Sequence, residues 1–265
     1  MIVNQKFSYH NHTYRCGHAV GSEEDMVRSA IEEGYTHFGI SDHAPFVGYS
    51  APTDRMEVED KEDYLTTCFK LKEKYKGQID LVVGFEAEYD RNRLEELKEL
   101  RNSCDYLLLG QHNKRVNKAR YNEEYTHFAD DSDVLMYAEQ VCEAMETGLF
   151  VAVNHPDYFM LGRKCWSEAC AEAARKIAEC AARNNIPLEL NLKGVRKGKT
   201  YYKDGEFYAY PYRKFWEEAA KYDVRVILGH DAHHPLDYIH VYEIDLVNEI
   251  LEGLDLKQAL DFRIK

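Results

Sequence analysis

The sequence predicts an α/β fold in which parallel strands, joined by helical crossovers, wind into one closed or nearly closed barrel. Three observations carry this expectation. Short β-rich apolar runs alternate with longer helical stretches along the whole chain, an order that sets strands in parallel with helices between them. The 265 residues, 45% of them hydrophobic, suffice for one large core, and barrels of this class commonly fill such a length as a single domain. No Pro/Gly/Ser-rich linker, repeat or low-complexity tract divides the chain, so one domain over residues 1–265 is expected.

Seven strands are expected: Phe7 to His10, His37 to Ser41, Asp80 to Phe85, Tyr106 to Gly110, Phe150 to Asn154, Pro187 to Asn191 and Val224 to Gly229. After the first strand, SEEDMVRSAIEEG reads as a helix that Ser22 caps and Gly34 ends. A second clear helical period begins at Ser167. Residues 113–132 form a long polar connection with the length of a lid.

Metal-type residues gather where these strands end. His10 and His12 close the first strand, where a period of two points both rings to one face, and His18 follows. Later strands run into Ser41-Asp42-His43, Glu86-Ala87-Glu88, Gln111-His112-Asn113, Asn154-His155-Pro156-Asp157 and His230-Asp231-Ala232-His233. Parallel barrel strands bring their C-terminal ends to one face, so these side chains converge. Seven histidines and two carboxylates exceed what one tetrahedral ion uses, and two or three metals follow. His37, His127, His230, His234 and His240 read as ordinary structural histidines, His230 and His234 with less force because they flank ligand-type residues.

Charge and composition narrow the function. A net charge of -13 opposes sequence-independent binding to a phosphate backbone, so nucleic acid is not an expected partner. Seven cysteines without a CxxC pair, and an N-terminus MIVNQKFSYH with no apolar core behind a charged start, fit a reduced cytoplasmic protein. No apolar run approaches the roughly 18 residues that a membrane helix needs. Protein partners are left open.

The segments HNH, CGH, ISDH, GFEAEY, GQHN, NHPD and GHDAHH, in this order from residue 10 to residue 233, resemble the polymerase-and-histidinol-phosphatase (PHP) superfamily, and within it the stand-alone L-histidinol-phosphate phosphatases. The resemblance implies a distorted, TIM-like (β/α)7 barrel with three divalent ions (Zn, Fe or Mn) at the C-terminal ends of the strands. Carried onto this chain, one ion would take His10, His12, Glu86 and Asp231; a second would share Glu86 and add His112 and His155; the third would take His18, His43 and His233. Glu86, Asp231 and His233 are then also the residues nearest the chemistry.

That chemistry would be hydrolysis of a small phosphate ester, L-histidinol phosphate, by hydroxide bridging two metals. Asp42 and Asp157 could orient ligand imidazoles. Arg163, in MLGRKCW, and Arg196, in NLKGVRKGK, stand on the catalytic face as donors to the phosphate dianion. Lys193, Lys197 and Lys199 add positive charge to the second stretch. Glu88, Asp157 and Tyr158 are placed to meet the ammonium and imidazole of the substrate.

Three rival readings remain. A PHP-type phosphoesterase acting on another monoester or on a diester would keep the same ions, although no nucleic-acid-binding segment accompanies them. A metal-dependent amidohydrolase also uses HxH at a strand end but usually needs a metal-bridging lysine, whereas Lys193 falls two residues past Asn191. A degenerate binding module would have lost ligands, and all nine matching positions carry metal-competent residues.

Overall fold

The structure is a computed structural model that describes residues 1–114, 124–239 and 242–264. Ten strands are described: β1 (Phe7–Ser8), β2 (His37–Ile40), β3 (Asp80–Ala87), β4 (Tyr106–Leu109), β5 (Ala152–Val153), β6 (Leu188–Asn191), β7 (Lys199–Tyr202), β8 (Gly205–Tyr208), β9 (Arg225–Gly229) and β10 (Lys257–Gln258). Eight of them form one sheet in the order β1-β2-β3-β4-β5-β6-β9-β10, and every described pairing in it is parallel. The α/β class and all seven expected strands are therefore present. The additions are the two-residue β10 beside β9 and the antiparallel β7–β8 hairpin.

The sheet curls nearly shut. Beyond β1 and β9 the chain forms a parallel bridge between Asn11 and Ala232, with the His12 amide donating to the Ala232 carbonyl at 2.9 Å. The residues flanking this bridge are His10, His12, Asp231 and His233, so the closure also assembles the site.

Eight α-helices are described: α1 (Glu23–Glu32), α2 (Lys61–Lys74), α3 (Leu94–Ser103), α4 (Asp131–Glu146), α5 (Glu168–Asn184), α6 (Leu192–Arg196), α7 (Arg213–Ala219) and α8 (Tyr242–Ile250). Their starts obey local chemistry. Ser22 and Asp25 form a reciprocal capping box on α1, Asp130 and Asp133 one on α4, and the Ser167 hydroxyl accepts from the Cys170 amide on α5. Gly34, at φ +74, follows the end of α1 as expected. On α5, Ala171, Ala174, Ala178 and Ala181 are buried at helical spacing, and the small residues allow close packing against α4. No described helix is long and apolar enough to cross a membrane. Much of the expected lid falls at residues 115–123, outside the described residues, as does His240.

Candidate metal centre

The site grows from the polar residues at the strand ends. Glu86 lies within β3, where an isolated bridge to His43 continues the pairing with β2. Its carboxylate sits over Gly110: a Cβ there would lie 2.1 Å from Glu86 Oε1. Five imidazoles surround it. Oε1 lies 3.0 Å from His155 Nε2, 3.2 Å from His10 Nε2 and 3.7 Å from His112 Nε2. Oε2 lies 3.4 Å from His12 Nε2 and 3.2 Å from His43 Nδ1.

Asp231 forms the second focus. Its Oδ1 lies 3.3 Å from His12 Nε2, 3.6 Å from His10 Nε2 and 3.4 Å from His233 Nδ1. His233 Nε2 in turn lies 2.9 Å from His18 Nε2. His155 and Asp231 both adopt positive φ, 28° and 45°, as the chain turns inward past β5 and β9. Non-glycine residues rarely hold this backbone without support from the surrounding fold.

Electrostatics divide the imidazoles. Burial opposes a proton on His10, but Glu189, Glu86 and Asp231 outweigh it and push the pKa well up. His12 and His112 follow, burial again being overcome, by Asp231 and Asp42 at His12 and by Glu86 and Glu88 at His112. Burial dominates and lowers His43, His155 and His233. Glu86 is held well below the carboxylate range because His10 and His112 overcome the cost of its burial. Anionic charge at the bottom of a buried site therefore attracts positive charge.

The donor set fits divalent cations. His10 Nε2, His12 Nε2 and Glu86 Oε2 are buried without a hydrogen-bond partner among the described residues. One donor atom each from His10, His12 and Asp231 lies within 4.8 Å of the others, and the same holds for His10, Glu86 and His155 and for His12, His43 and His233. Neutral imidazole with carboxylate oxygen suits zinc and its first-row neighbours. Cys16 also falls within reach of His18 and His233, and without an ion burial first of all pushes its thiol up to about 12.

A second layer of residues orients these rings. Glu189 Oε2 accepts from His10 Nδ1 at 2.8 Å. Asp42 lies 3.6 Å from His12 Nδ1 and accepts from the Thr13 amide at 3.1 Å and from the Thr13 hydroxyl. Glu88 lies 3.2 Å from His112 Nδ1 and is fixed by a bidentate pair with Arg55, which holds its pKa down near 2 against the opposing effect of burial. Glu88 is thus committed to Arg55 and His112 rather than to a substrate ammonium. Asp157, expected near the mouth, is instead buried beneath α7, accepting from the Tyr212 amide and Trp216 Nε1.

Sequence reasoning passed over Glu189 and Arg55, and met Lys193 only as one charge of a basic stretch. The signal for Glu189 was available: a charged residue between Leu188 and Leu190 in an otherwise apolar strand. His230 is explained by its neighbours. It is fully buried, Tyr35 Oη lies 2.6 Å from its Nε2, and burial lowers its pKa to about 3. It is a structural histidine, as is His37, 3.3 Å from Asp80.

Neither expected arginine lines the cavity on which the metal-type residues open. Arg163 donates to the Ala129 carbonyl at 2.7 Å, to Asp131 at 2.6 Å and to Ser167 at 3.0 Å, and lines a separate cleft beside Phe128 and Lys203. Its place beyond β5 was right, but the capping residue of α5 and the start of α4 claim its guanidinium. Arg196 points behind the cluster, donating to the His230 carbonyl and, at 3.3 Å, to that of Asp231. A cavity of about 200 Å³ opens on the metal-type residues, and among the described residues the Lys and Arg side chains lining it are Lys193 and Lys197.

Comparison with known proteins agrees with this architecture. A Deinococcus radiodurans protein named "Probable histidinol-phosphatase" is 25% identical over 233 residues, covering 85% of each chain. A Thermotoga maritima protein of the same name is 28% identical over 213 residues, covering 79% of this chain and 76% of its own. The fold matches that of histidinol phosphate phosphatase from Lactococcus lactis, a structure with zinc, L-histidinol and phosphate, at TM-score 0.68 and 14% identity over 96% of this chain and 95% of that one. The PHP domain family matches residues 8–193, well over half of the chain, which therefore belongs to that family.

Proposed function

We propose that this protein is a metal-dependent phosphatase that hydrolyses L-histidinol phosphate to L-histidinol and inorganic phosphate, with the whole chain acting as one domain. The observation that carries the reading is Glu86, a buried carboxylate with five imidazole nitrogens within 3.7 Å, at the floor of a cavity sized for a small ester. The relatives named above supply the substrate class.

His10, His12, Glu86 and Asp231 would hold one divalent ion, Glu86 with His112 and His155 a second, and His18, His43 and His233 a third. Bound there, such ions lower the pKa of water and offset charge on phosphoryl oxygens. Every other part of the mechanism belongs to the chain. Glu86 joins two donor sets and fixes their separation. Glu189 and Glu88 hold His10 and His112 in the tautomer that presents Nε2 to the cavity. Tyr158 packs on His112 and His155 with ring centroids 4.9 Å and 4.8 Å apart, and gives the cavity an aromatic wall for the substrate imidazole. Asp54 and Glu124 also line the cavity and provide carboxylates for the substrate ammonium. All seven cysteines are free, as a reducing compartment such as the cytoplasm requires.

The test is phosphate release from L-histidinol phosphate, measured beside a generic phosphomonoester and a phosphodiester, before and after chelation. Chelator-sensitive preference for histidinol phosphate supports the reading. Preference for the diester would keep the metal site and replace the substrate. Glu86→Ala should abolish turnover together with metal retention.

A further inference from the structure

We infer that Lys193 and Lys197, rather than the two arginines, hold the phosphoryl group of the substrate. The inference rests on the phosphomonoesterase reading above and names the side chains that serve it.

The chain turns at Asn191, whose side chain accepts from the Gly194 amide and starts the short helix α6 directly over the end of β6. That turn throws Lys193 inward. Its Nζ lies 2.9 Å from His233 Nε2 and 3.4 Å from Asp231 Oδ1, and its side chain is about one-fifth exposed. One helical turn on, Lys197 lines the same cavity, with its Nζ 5.9 Å from the centre of the Tyr210 ring. The spacing of four residues puts both ammonium groups on one side of α6.

The arginines are committed elsewhere. Arg163 is bound to Asp131, Ser167 and a carbonyl in another cleft, Arg196 to two carbonyls behind the cluster, and Arg55 to Asp54 and Glu88. Both side chains line one cavity, so a dianion bound there meets both ammonium groups. Lys193 lines the cavity beside the donors Asp231 and His233, so a phosphoryl oxygen bound to it lies next to the reacting centre. Lysine binds phosphate as a point charge, and no bidentate geometry is needed.

The experiment compares wild type with Lys193→Met, Lys193→Arg and Lys197→Met in the metal-loaded protein. Inorganic phosphate serves as competitive inhibitor, and bound metal is counted by mass spectrometry. Loss of a charge-assisted contact predicts a rise of roughly ten- to a hundredfold in the inhibition constant for phosphate and in KM for histidinol phosphate. Metal content should be unchanged, and Lys193→Arg should recover part of the loss. If wild type binds phosphate and both methionine variants bind it equally well, the lysine assignment is overturned while the phosphatase reading stands. If Lys193→Met loses metal in step with phosphate affinity, Lys193 serves the metal cluster and the assignment is likewise overturned. If wild type neither binds phosphate nor hydrolyses a monoester, both readings are wrong.

Discussion

Glu189 Oε2 accepts from His10 Nδ1 at 2.8 Å, and both side chains are almost wholly buried. The contact fixes which nitrogen of His10 faces Glu86 and Asp231. It exists because Gly229, on the neighbouring β9, leaves the space of a side chain: a Cβ there would lie 1.8 Å from Glu189 Oε2. Strand β6 thus contributes to the site from behind, through a carboxylate that reaches the ligand ring and not the cavity.

Glu189→Gln should weaken metal retention by roughly 10- to 100-fold, the usual effect of removing a carboxylate behind a ligand histidine. The amide can still accept from His10, so the far-ultraviolet circular dichroism should be that of the wild type. Chelator competition measures the loss. Unchanged metal affinity would show that His10 is oriented by its other neighbours alone.

Gly110→Ala attacks the same logic at Glu86. A methyl group 2.1 Å from Oε1 must displace the carboxylate, while the strand backbone has no reason to change. The overpacking should cost about 1–3 kcal/mol of stability. Turnover and metal content should fall far more steeply than that modest loss suggests. A variant with normal metal content would mean that Glu86 can serve the site from a second position.

Metal removal should destabilise the protein more at pH 8 than at pH 6. His10, His12 and His112 have raised pKa values, each because carboxylates outweigh burial. Without metal, the stability they contribute is fully present below the unfolded histidine value and is lost as pH rises through the raised folded values. Metal-bound imidazoles carry no such proton, so the metal-loaded protein does not share this loss. The difference in Tm between loaded and chelated protein should therefore widen with pH, and thermal melts at the two pH values check it.

Strand order and the convergence of ligand-type residues were legible in the sequence because both follow from local rules. Apolar runs gave seven strands, and parallel pairing dictated that His10, His12, His43, Glu86, His112, His155 and Asp231 share one mouth. What the sequence hid depends on side-chain direction. Arg163 and Arg196 occupy the expected segments, yet one guanidinium is drawn to Asp131 and Ser167 and the other to the carbonyls of His230 and Asp231. Glu189 sits inside a strand, where periodicity marks burial but cannot say which ring a carboxylate meets. Strand β10 is two residues long and carries no pattern to detect.

Asp157 distinguishes a structural carboxylate from a substrate-binding one. It is fully buried, and burial above all raises its pKa to about 7, against donors from the Tyr212 amide and Trp216 Nε1 that favour the charged form. A carboxyl group raised in the folded state contributes stability that is fully present below its unfolded value, near 4, and is lost as pH rises toward 7. The slope is at most about 1.4 kcal/mol per pH unit. Both donors meet the same oxygen, Oδ2, so an asparagine oxygen can accept from both. Asp157→Asn should therefore remove this part of the pH dependence, leave the protein as stable as wild type or more so at pH 8, and leave KM for histidinol phosphate unchanged. A large rise in KM with unaltered stability would instead return Asp157 to the substrate-binding surface that its position after His155 first suggested.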